Sequence, residues 1–156
     1  MLFLGLDIGG ANIKAVSLRL EAGKPVELNY ASIYFPIWKA GKERLPQALK
    51  QTLRRLSHSD FDAAGVTMTA EVSDVYQSKR EGVSHVLETV EKVLGGTRFG
   101  VVEVEGKLLP PEEAKEKPLK VASANWAASG WLISKKLKNG LLIDVGSTTT
   151  AIVPVK

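Results

Sequence analysis

Two acidic, glycine-containing stretches of the chain have the residue types that bind a metal-bound phosphate. The first, GLDIGGANIK, covers residues 5–14, and the second, GLLIDVGSTTTAIVPV, covers residues 140–155. In each, one carboxylate, Asp7 or Asp144, interrupts an apolar run, and a glycine follows two residues later. Mg²⁺ prefers oxygen ligands and keeps much of its hydration, so a carboxylate at a strand end can hold it through water. We therefore predict that Asp7 and Asp144 flank a Mg²⁺ ion.

Small and polar residues after each carboxylate are suited to phosphate oxygens. Glycine has no side chain, so backbone N–H groups can approach an anion closely, and amide or hydroxyl groups can donate further hydrogen bonds. The predicted cofactor-binding residues are Gly9, Gly10, Asn12, Gly146, Ser147, Thr148 and Thr149. Lys14 would offset the phosphate charge as a catalytic residue, or it is an exposed strand lysine. One Asp-x-Gly is ordinary turn chemistry, but two framed by apolar strands favour a site.

Polar residues also follow two other predicted strands, where ligands collect in open α/β sheets. Thr69, Glu71 and Asp74 come after AAGV, while Asn125 and Trp126 come after LKVA. Glu71 or Asp74 would act as a general base or help to hold the metal, and capping of the next helix is the alternative. Thr69, Asn125 and Trp126 are predicted to contact substrate. Asn125 could instead open a helix, and Trp126 could anchor a core.

The apolar pattern predicts a mixed sheet that places these residues along one edge. Three consecutive strands are followed by alternating helices and strands, which indicates helices on both faces of the sheet. Leucines at helical spacing predict one helix in residues 42–58, with Pro46 in its first turn, and valines predict another in 79–96, with Gly95 as C-cap. PPEEAKEKP is expected to be a surface connection, LKVA a short strand, and Ser123 the cap of a last helix reaching about Lys138.

Composition excludes several classes of protein. The chain of 156 residues has no cysteine, which excludes disulfides, thiolate metal sites and a cysteine nucleophile. Its net charge of +4 comes from dispersed basic residues interleaved with acidic ones, so we expect no nucleic-acid partner. No apolar stretch approaches the roughly 20 residues that cross a bilayer, and the N-terminus lacks the features of a signal peptide. We expect no membrane association and a cytoplasmic location.

The two glycine-containing stretches resemble the phosphate-one and phosphate-two motifs of the actin-like ATPase superfamily, which includes sugar kinases, actin and heat-shock chaperones. The matching residues are GLDIGGANIKAV and GLLIDVGSTTTAIV. The resemblance implies a ribonuclease-H-like α/β domain over residues 1–138. It also implies that residues 139–156 form the phosphate-two hairpin, the start of a second like domain. Mg²⁺ is the expected cofactor, and ATP is the alternative one.

Two further stretches resemble a hydantoinase/oxoprolinase-related archaeal group. They are GVTMTAEVSDVYQSKREGV, residues 65–83, and VASANWAASGW, residues 121–131. That group is linked to methanofuran biosynthesis and to tetrahydromethanopterin-dependent one-carbon transfer. The resemblance implies a transferase that forms an aryl ether, in which γ-glutamyltyramine displaces diphosphate from an aminomethylfuran-methyl diphosphate. A Mg²⁺-bound diphosphate leaving group would suit two facing phosphate loops.

The sequence departs from the superfamily pattern at its C-terminal end. Superfamily members continue after the phosphate-two motif with a second full domain, whereas this sequence ends at Lys156. We expect a longer protein or a partner chain to supply the missing half, and the isolated chain to be incomplete as a catalyst. A phosphorylated small molecule is the expected substrate, and a homodimer is an alternative assembly. The alternative functions are an ATP-dependent kinase, a hydantoinase/oxoprolinase-like enzyme and a non-enzymatic actin-like nucleotide-binding module.

Overall fold

A six-stranded mixed sheet organises most of the chain, and a two-stranded sheet lies beside it. The computed structural model describes residues 1–146 and 150–156. The strands of the large sheet are β1 (Leu2–Ile8), β2 (Asn12–Glu21), β3 (Lys24–Tyr34), β4 (Ala63–Met68), β5 (Phe99–Val102) and β6 (Leu108–Leu109), in the spatial order β3-β2-β1-β4-β5-β6. β1, β2 and β3 pair antiparallel, β4 and β5 continue parallel to β1, and β6 is antiparallel to β5. The predicted mixed α/β sheet is confirmed.

Six α-helices and two short 3₁₀ turns connect the strands in the part of the chain that is described. The helices are α1 (Ile37–Ala40), α2 (Leu45–Leu53), α3 (Lys79–Leu94), α4 (Pro111–Glu116), α5 (Pro118–Val121) and α6 (Asn125–Ser134), and the 3₁₀ turns are Lys42–Arg44 and Ala70–Val72. Pro46 lies in the first turn of α2, where its missing N–H costs no helical hydrogen bond. α3 ends at Gly95 in a left-handed conformation, φ 59°, so the predicted C-cap is confirmed.

Three local predictions between residues 110 and 138 are wrong. LKVA belongs largely to α5 and PPEEAKEKP largely to α4, because prolines at the first positions of both helices start them rather than break them. A short apolar run does not distinguish a strand from a buried helix. The N-cap position of α6 is Ala124 rather than Ser123, and the helix ends at Ser134.

The hydrophobic core lies on one face of the large sheet. Alternate residues of β1, namely Leu4, Leu6 and Ile8, are buried there, and the helices α2 and α3 contribute their apolar faces to the same cluster. The intervening residues Gly5 and Asp7 lie on the opposite, less covered face. Because side chains alternate along a strand, a core on one side places the Asp7 carboxylate on the other.

The C-terminal hairpin consists of β7 (Gly140–Val145) and β8 (Thr150–Val155), paired antiparallel in a sheet of their own. It packs against α6, where a Cβ added to Gly130 would lie 3.3 Å from Val153 Cγ1. The predicted boundary between residues 138 and 139 stays a prediction. Among the described residues, no helix has both the length and the apolar character needed to cross a bilayer.

We predict that Gly82→Ala destabilises the protein by about 2 kcal/mol, because the new methyl group would overpack a tight contact. A Cβ at Gly82 would lie 2.7 Å from the Cα and 2.8 Å from the Cβ of Glu71, so α3 rests directly on that backbone. Chemical denaturation of full-length protein measures the effect.

Gly65→Ala is the matched control, since a Cβ there meets no atom within 4 Å. Its free energy of unfolding should stay within about 1 kcal/mol of the wild-type value. Equal stability of the two variants would contradict the close packing of α3 on Glu71.

Candidate phosphate- and metal-binding site

Asp7 lies at the carboxyl end of β1, between one residue of β2 and one of β4. It pairs with Lys14 in the antiparallel register and with Thr67 in the parallel register. Lys14 Nζ lies 3.1 Å from Asp7 Oδ2, and Thr67 Oγ1 lies 3.3 Å from Asp7 Oδ1. The Asp7 side chain keeps 29% of its surface exposed, so a ligand can still reach it. Strand pairing therefore holds a carboxylate, an ammonium group and a hydroxyl together on one face.

Lys14 is held in its charged form by the carboxylates around it. The Asp7 carboxylate is the main cause that raises the pKa of Lys14, partial burial opposes the shift, and Tyr30 and Asp144 raise it further. The influence of Asp144, which lies on β7, links the second acidic stretch to the first. Asp7 and Lys14 are in contact, whereas Asp144 is the smallest of the causes that raise the pKa of Lys14.

The turn after β1 is built on a glycine that no larger residue could replace without a shift. The Gly9 N–H donates to the Asn12 carbonyl at 2.9 Å, and a Cβ at Gly9 would lie 2.8 Å from that oxygen. The Gly9 N–H is therefore already used within the turn, and the absence of a side chain at Gly9 is what allows the turn to close. The Gly10 carbonyl accepts from the Ile37 N–H at 2.9 Å, which ties the turn to the start of α1. The phosphate-binding role of Gly9, Gly10 and Asn12 stays a prediction.

The loop after β4 lies beside this turn. The Thr69 N–H donates to the Ile8 carbonyl at 2.9 Å, which extends the parallel pairing past the strand end. A Cβ at Gly9 would lie 3.6 Å from Thr69 Oγ1, and one at Gly10 would lie 3.9 Å from the Thr69 carbonyl oxygen. Thr69 is thus next to the predicted phosphate turn, and its contact with substrate stays a prediction.

Glu71 is buried and bonded to the turn that precedes α6. Its Oε1 accepts hydrogen bonds from the Ser123 N–H at 2.7 Å and from Ser123 Oγ at 3.3 Å, while the residue is only 1% exposed. Oε2 is buried without a hydrogen-bond partner among the described residues. Burial raises the pKa of Glu71, and the hydrogen bonds from backbone N–H groups and from the Ser123 hydroxyl oppose the shift. The proton is therefore held more strongly than by an ordinary glutamate.

The alternative in which Glu71 or Asp74 caps the following helix is wrong. The N-cap of α3 is Ser78, whose side chain accepts from the Glu81 N–H at 3.2 Å. Asp74 is exposed on the loop that leads to α3. Glu71 does not reach the surface in this structure, and the catalytic roles of both residues stay predictions.

Asn125 and Trp126 open helix α6, as expected if Asn125 is a helix N-terminal residue. Both are half-buried. Trp126 lines a groove of about 270 Å³ together with Gly106, Trp131 and the end of β8. Their contact with substrate stays a prediction.

Two residues close to the site were not predicted from the sequence to belong to it. Thr67 contacts Asp7, and its position could have been read from the alternation of β4, which places Thr67 on the side opposite Val66 and Met68. Ser123 contacts Glu71 across 52 residues of sequence, and no local signal identifies that partner. Ser147, Thr148 and Thr149 lie outside the described residues, whereas Gly146 is exposed at the end of β7. The phosphate-binding role of all four stays a prediction.

The described side chains fit Mg²⁺ only as a metal shared with a phosphate. No group of three or more His, Asp or Glu residues that could hold a metal occurs in residues 1–146 and 150–156. Mg²⁺ commonly uses one or two carboxylates together with water and substrate phosphates. Asp7 and Asp144 are carboxylates of the kind such a site uses, and their role as metal ligands stays a prediction.

We predict that Glu71→Gln removes a pH dependence of stability. Because the pKa of Glu71 is raised above 4.5 in the folded protein, the group stabilises the fold below pH 4.5 and loses that contribution as pH rises through the raised pKa. Glutamine stays neutral, so the stability of the variant relative to wild type should increase over the same rise in pH. Denaturant unfolding of both proteins across this range measures the difference. A difference that does not change with pH would contradict the raised pKa.

Comparison with known proteins identifies relatives and a shared fold. The hydantoinase/oxoprolinase family model matches residues 62–156. A curated relative from Methanocaldococcus jannaschii, named (4-{4-[2-(gamma-L-glutamylamino)ethyl]phenoxymethyl}furan-2-yl)methanamine synthase, is 37% identical over 157 aligned residues. The alignment covers 100% of this chain and 44% of that synthase, so the chain spans less than half the length of this relative.

Solved structures of Ppx/GppA proteins from Aquifex aeolicus share the fold. A type II variant of the phosphatase has a TM-score of 0.57 at 15% identity, covering 100% of this chain and 48% of that one. A second structure of the family has a TM-score of 0.55 at 13% identity, covering 99% and 51%. The α/β fold class expected from the resemblance to actin-like ATPases is confirmed. The family match over residues 62–156 also confirms the closer resemblance, and the chain belongs to the hydantoinase/oxoprolinase family.

Proposed function

We propose that the full-length protein containing this chain is a cytoplasmic, Mg²⁺-dependent transferase of methanofuran biosynthesis. The observation that carries the proposal is the 37% identity to the Methanocaldococcus jannaschii synthase, which extends over the whole chain. The name of that synthase describes a product in which a phenoxymethyl ether joins an aryl ring to a furan. The chain would supply part of the site, and the remaining length of the protein or a partner chain would supply the rest.

In the proposed reaction, the phenol oxygen of γ-glutamyltyramine forms a bond to the methylene carbon of an aminomethylfuran-methyl diphosphate. The bond between that carbon and the diphosphate oxygen breaks, the phenol proton passes to a base, and diphosphate leaves. The leaving group carries most of the negative charge, so its stabilisation lowers the barrier. A bound Mg²⁺ would neutralise part of that charge.

The residues of the site support this chemistry in separate ways. Asp7 and Asp144 would hold Mg²⁺, and Lys14, whose pKa is raised chiefly by Asp7, would face the phosphate oxygens. The side chains of Lys14 and Asp7 are 50% and 29% exposed, so a metal-bound anion could reach both. Asp74 is the exposed one of the two predicted bases, so it is better placed than Glu71 to accept the phenol proton.

A second candidate is an ATP-dependent hydantoinase/oxoprolinase-like enzyme or small-molecule kinase on the same scaffold. The family match over residues 62–156 favours it. ATP would then replace the diphosphate substrate at the same two loops.

We expect full-length protein supplied with both substrates and Mg²⁺ to form the ether and to release diphosphate. Mass spectrometry detects the ether, and a reaction with EDTA is the control for metal dependence. ATP hydrolysis without ether formation would contradict the transferase proposal and favour the second candidate.

Asp7→Asn and Asp144→Asn should each lower the rate of ether formation on the order of 100-fold, since each removes a charge that would hold the metal. Asp60→Asn is the matched control, because Asp60 is exposed and lies outside the site. The rate of ether formation by each variant, measured over a Mg²⁺ titration, tests this expectation. Variants at Asp7 and Asp144 that react like the Asp60 control would contradict their assignment as metal ligands.

A further inference from the structure

Glu71 connects three segments of the chain that are far apart in sequence. It lies in the 3₁₀ turn Ala70–Val72, directly after Thr69, which lies beside the glycine turn of β1. The backbone of α3 rests on it at Gly82, where a Cβ would come within 2.7 Å of the Glu71 Cα. Its side chain reaches Ser123, at the end of α5. Because Glu71 contacts all three segments, it sets their positions relative to one another.

The contact with Ser123 maintains an unusual backbone conformation. Ser123 has φ 53°, in the left-handed region that residues with a Cβ adopt at an energetic cost. The hydrogen bond from its N–H to Glu71 Oε1, at 2.7 Å, is the shorter of the two contacts with that carboxyl oxygen. The surrounding contacts must therefore hold the turn, and the Glu71 carboxyl oxygen provides two of them.

The turn at Ser123 determines where α6 begins. Ala124 follows it as the N-cap, and Asn125 and Trp126 form the first turn of the helix. On the other side of Glu71, Thr69 borders Gly9 and Gly10. Glu71 therefore joins the glycine turn to the start of α6 through the sequence Gly9, Thr69, Glu71, Ser123.

We propose that Glu71 is a positioning residue whose carboxyl oxygen fixes Ser123, and through it Asn125 and Trp126, relative to the glycine turn, and that it does not take a proton from the substrate. The Glu71 side chain, in a residue only 1% exposed, has no direct route to a ligand at the candidate site. The role requires a hydrogen-bond acceptor but no negative charge. An amide can therefore replace the carboxyl group, whereas an apolar side chain cannot.

The structural part of this proposal is tested without any substrate. Hydrogen–deuterium exchange of the backbone is compared among full-length wild type, Glu71→Gln and Glu71→Leu. We expect residues 121–127 to exchange at the wild-type rate in E71Q and at least ten times faster in E71L. Glu88→Leu, the same change at an exposed position of α3, should leave the exchange of residues 121–127 unchanged. Equal exchange in E71L and wild type would overturn the proposal.

The kinetic part rests on the proposed function and uses the same variants in the ether-forming assay. We expect E71Q to keep kcat within threefold of wild type, and E71L to raise the KM for substrate at least tenfold. A general base would give a different result, because E71Q and E71L would then lose kcat alike, and that result would overturn the proposal. A KM in E71L equal to that of wild type would also overturn it, since Glu71 would then be merely structural.

A folding failure in E71L is covered by Glu71→Ala, which also removes the acceptor of the Ser123 N–H but adds no bulk to the turn. It should raise the KM at least threefold and speed exchange in residues 121–127, and wild-type values for both would overturn the proposal. Failure of wild type to form the ether would reject the proposed function alone, because the exchange comparison does not depend on it.

Discussion

The pairing of β1 with an antiparallel strand on one side and a parallel strand on the other is the constraint on which the site depends. The two registers set Asp7 opposite Lys14 and opposite Thr67 at the same level. A shift of one residue in either register would turn these side chains to the other face, where the hydrophobic core lies. The burial of Leu4, Leu6 and Ile8 therefore stabilises the position of a carboxylate that is itself outside the core.

Close backbone contacts at two glycines extend this arrangement beyond the strands. Gly9 allows the turn after β1 to close on the Asn12 carbonyl, and Gly82 allows α3 to rest on the backbone of Glu71. Both glycines have a steric reason, since a Cβ at either position would lie less than 3 Å from a backbone atom. The loops that border the candidate site are thus positioned by backbone packing as well as by hydrogen bonds.

The acidic residues of the site differ in environment, and the difference separates their chemistry. Asp7 is partly exposed and lies 3.1 Å from the Lys14 ammonium group, so a ligand can still contact it. Glu71 is buried beside a serine, and burial raises its pKa. The Asp7 carboxylate is accessible to a ligand, whereas the Glu71 carboxyl group holds the turn at Ser123. Residue type alone does not distinguish them.

The elements and motifs that depend on short-range patterns could be predicted from the order of residues alone. The strands around both acidic stretches, the helices α2 and α3, and the Gly95 cap follow from periodicity and local turn chemistry. The helices in residues 111–121 were not predicted, because the apolar run in LKVA is too short to show a distinguishing period.

Which distant residues meet depends on how the elements pack, and it could not be predicted from local patterns. Asp144 in one sheet contributes to the raised pKa of Lys14 in the other, and Glu71 accepts a hydrogen bond from Ser123 across 52 residues. Burial of Glu71 results from the packing of α3 against the 3₁₀ turn, and a linear sequence has no local signal of that contact. The residue types therefore indicated a phosphate and metal site, while long-range packing decided which carboxylate is exposed to a ligand and which one supports the fold.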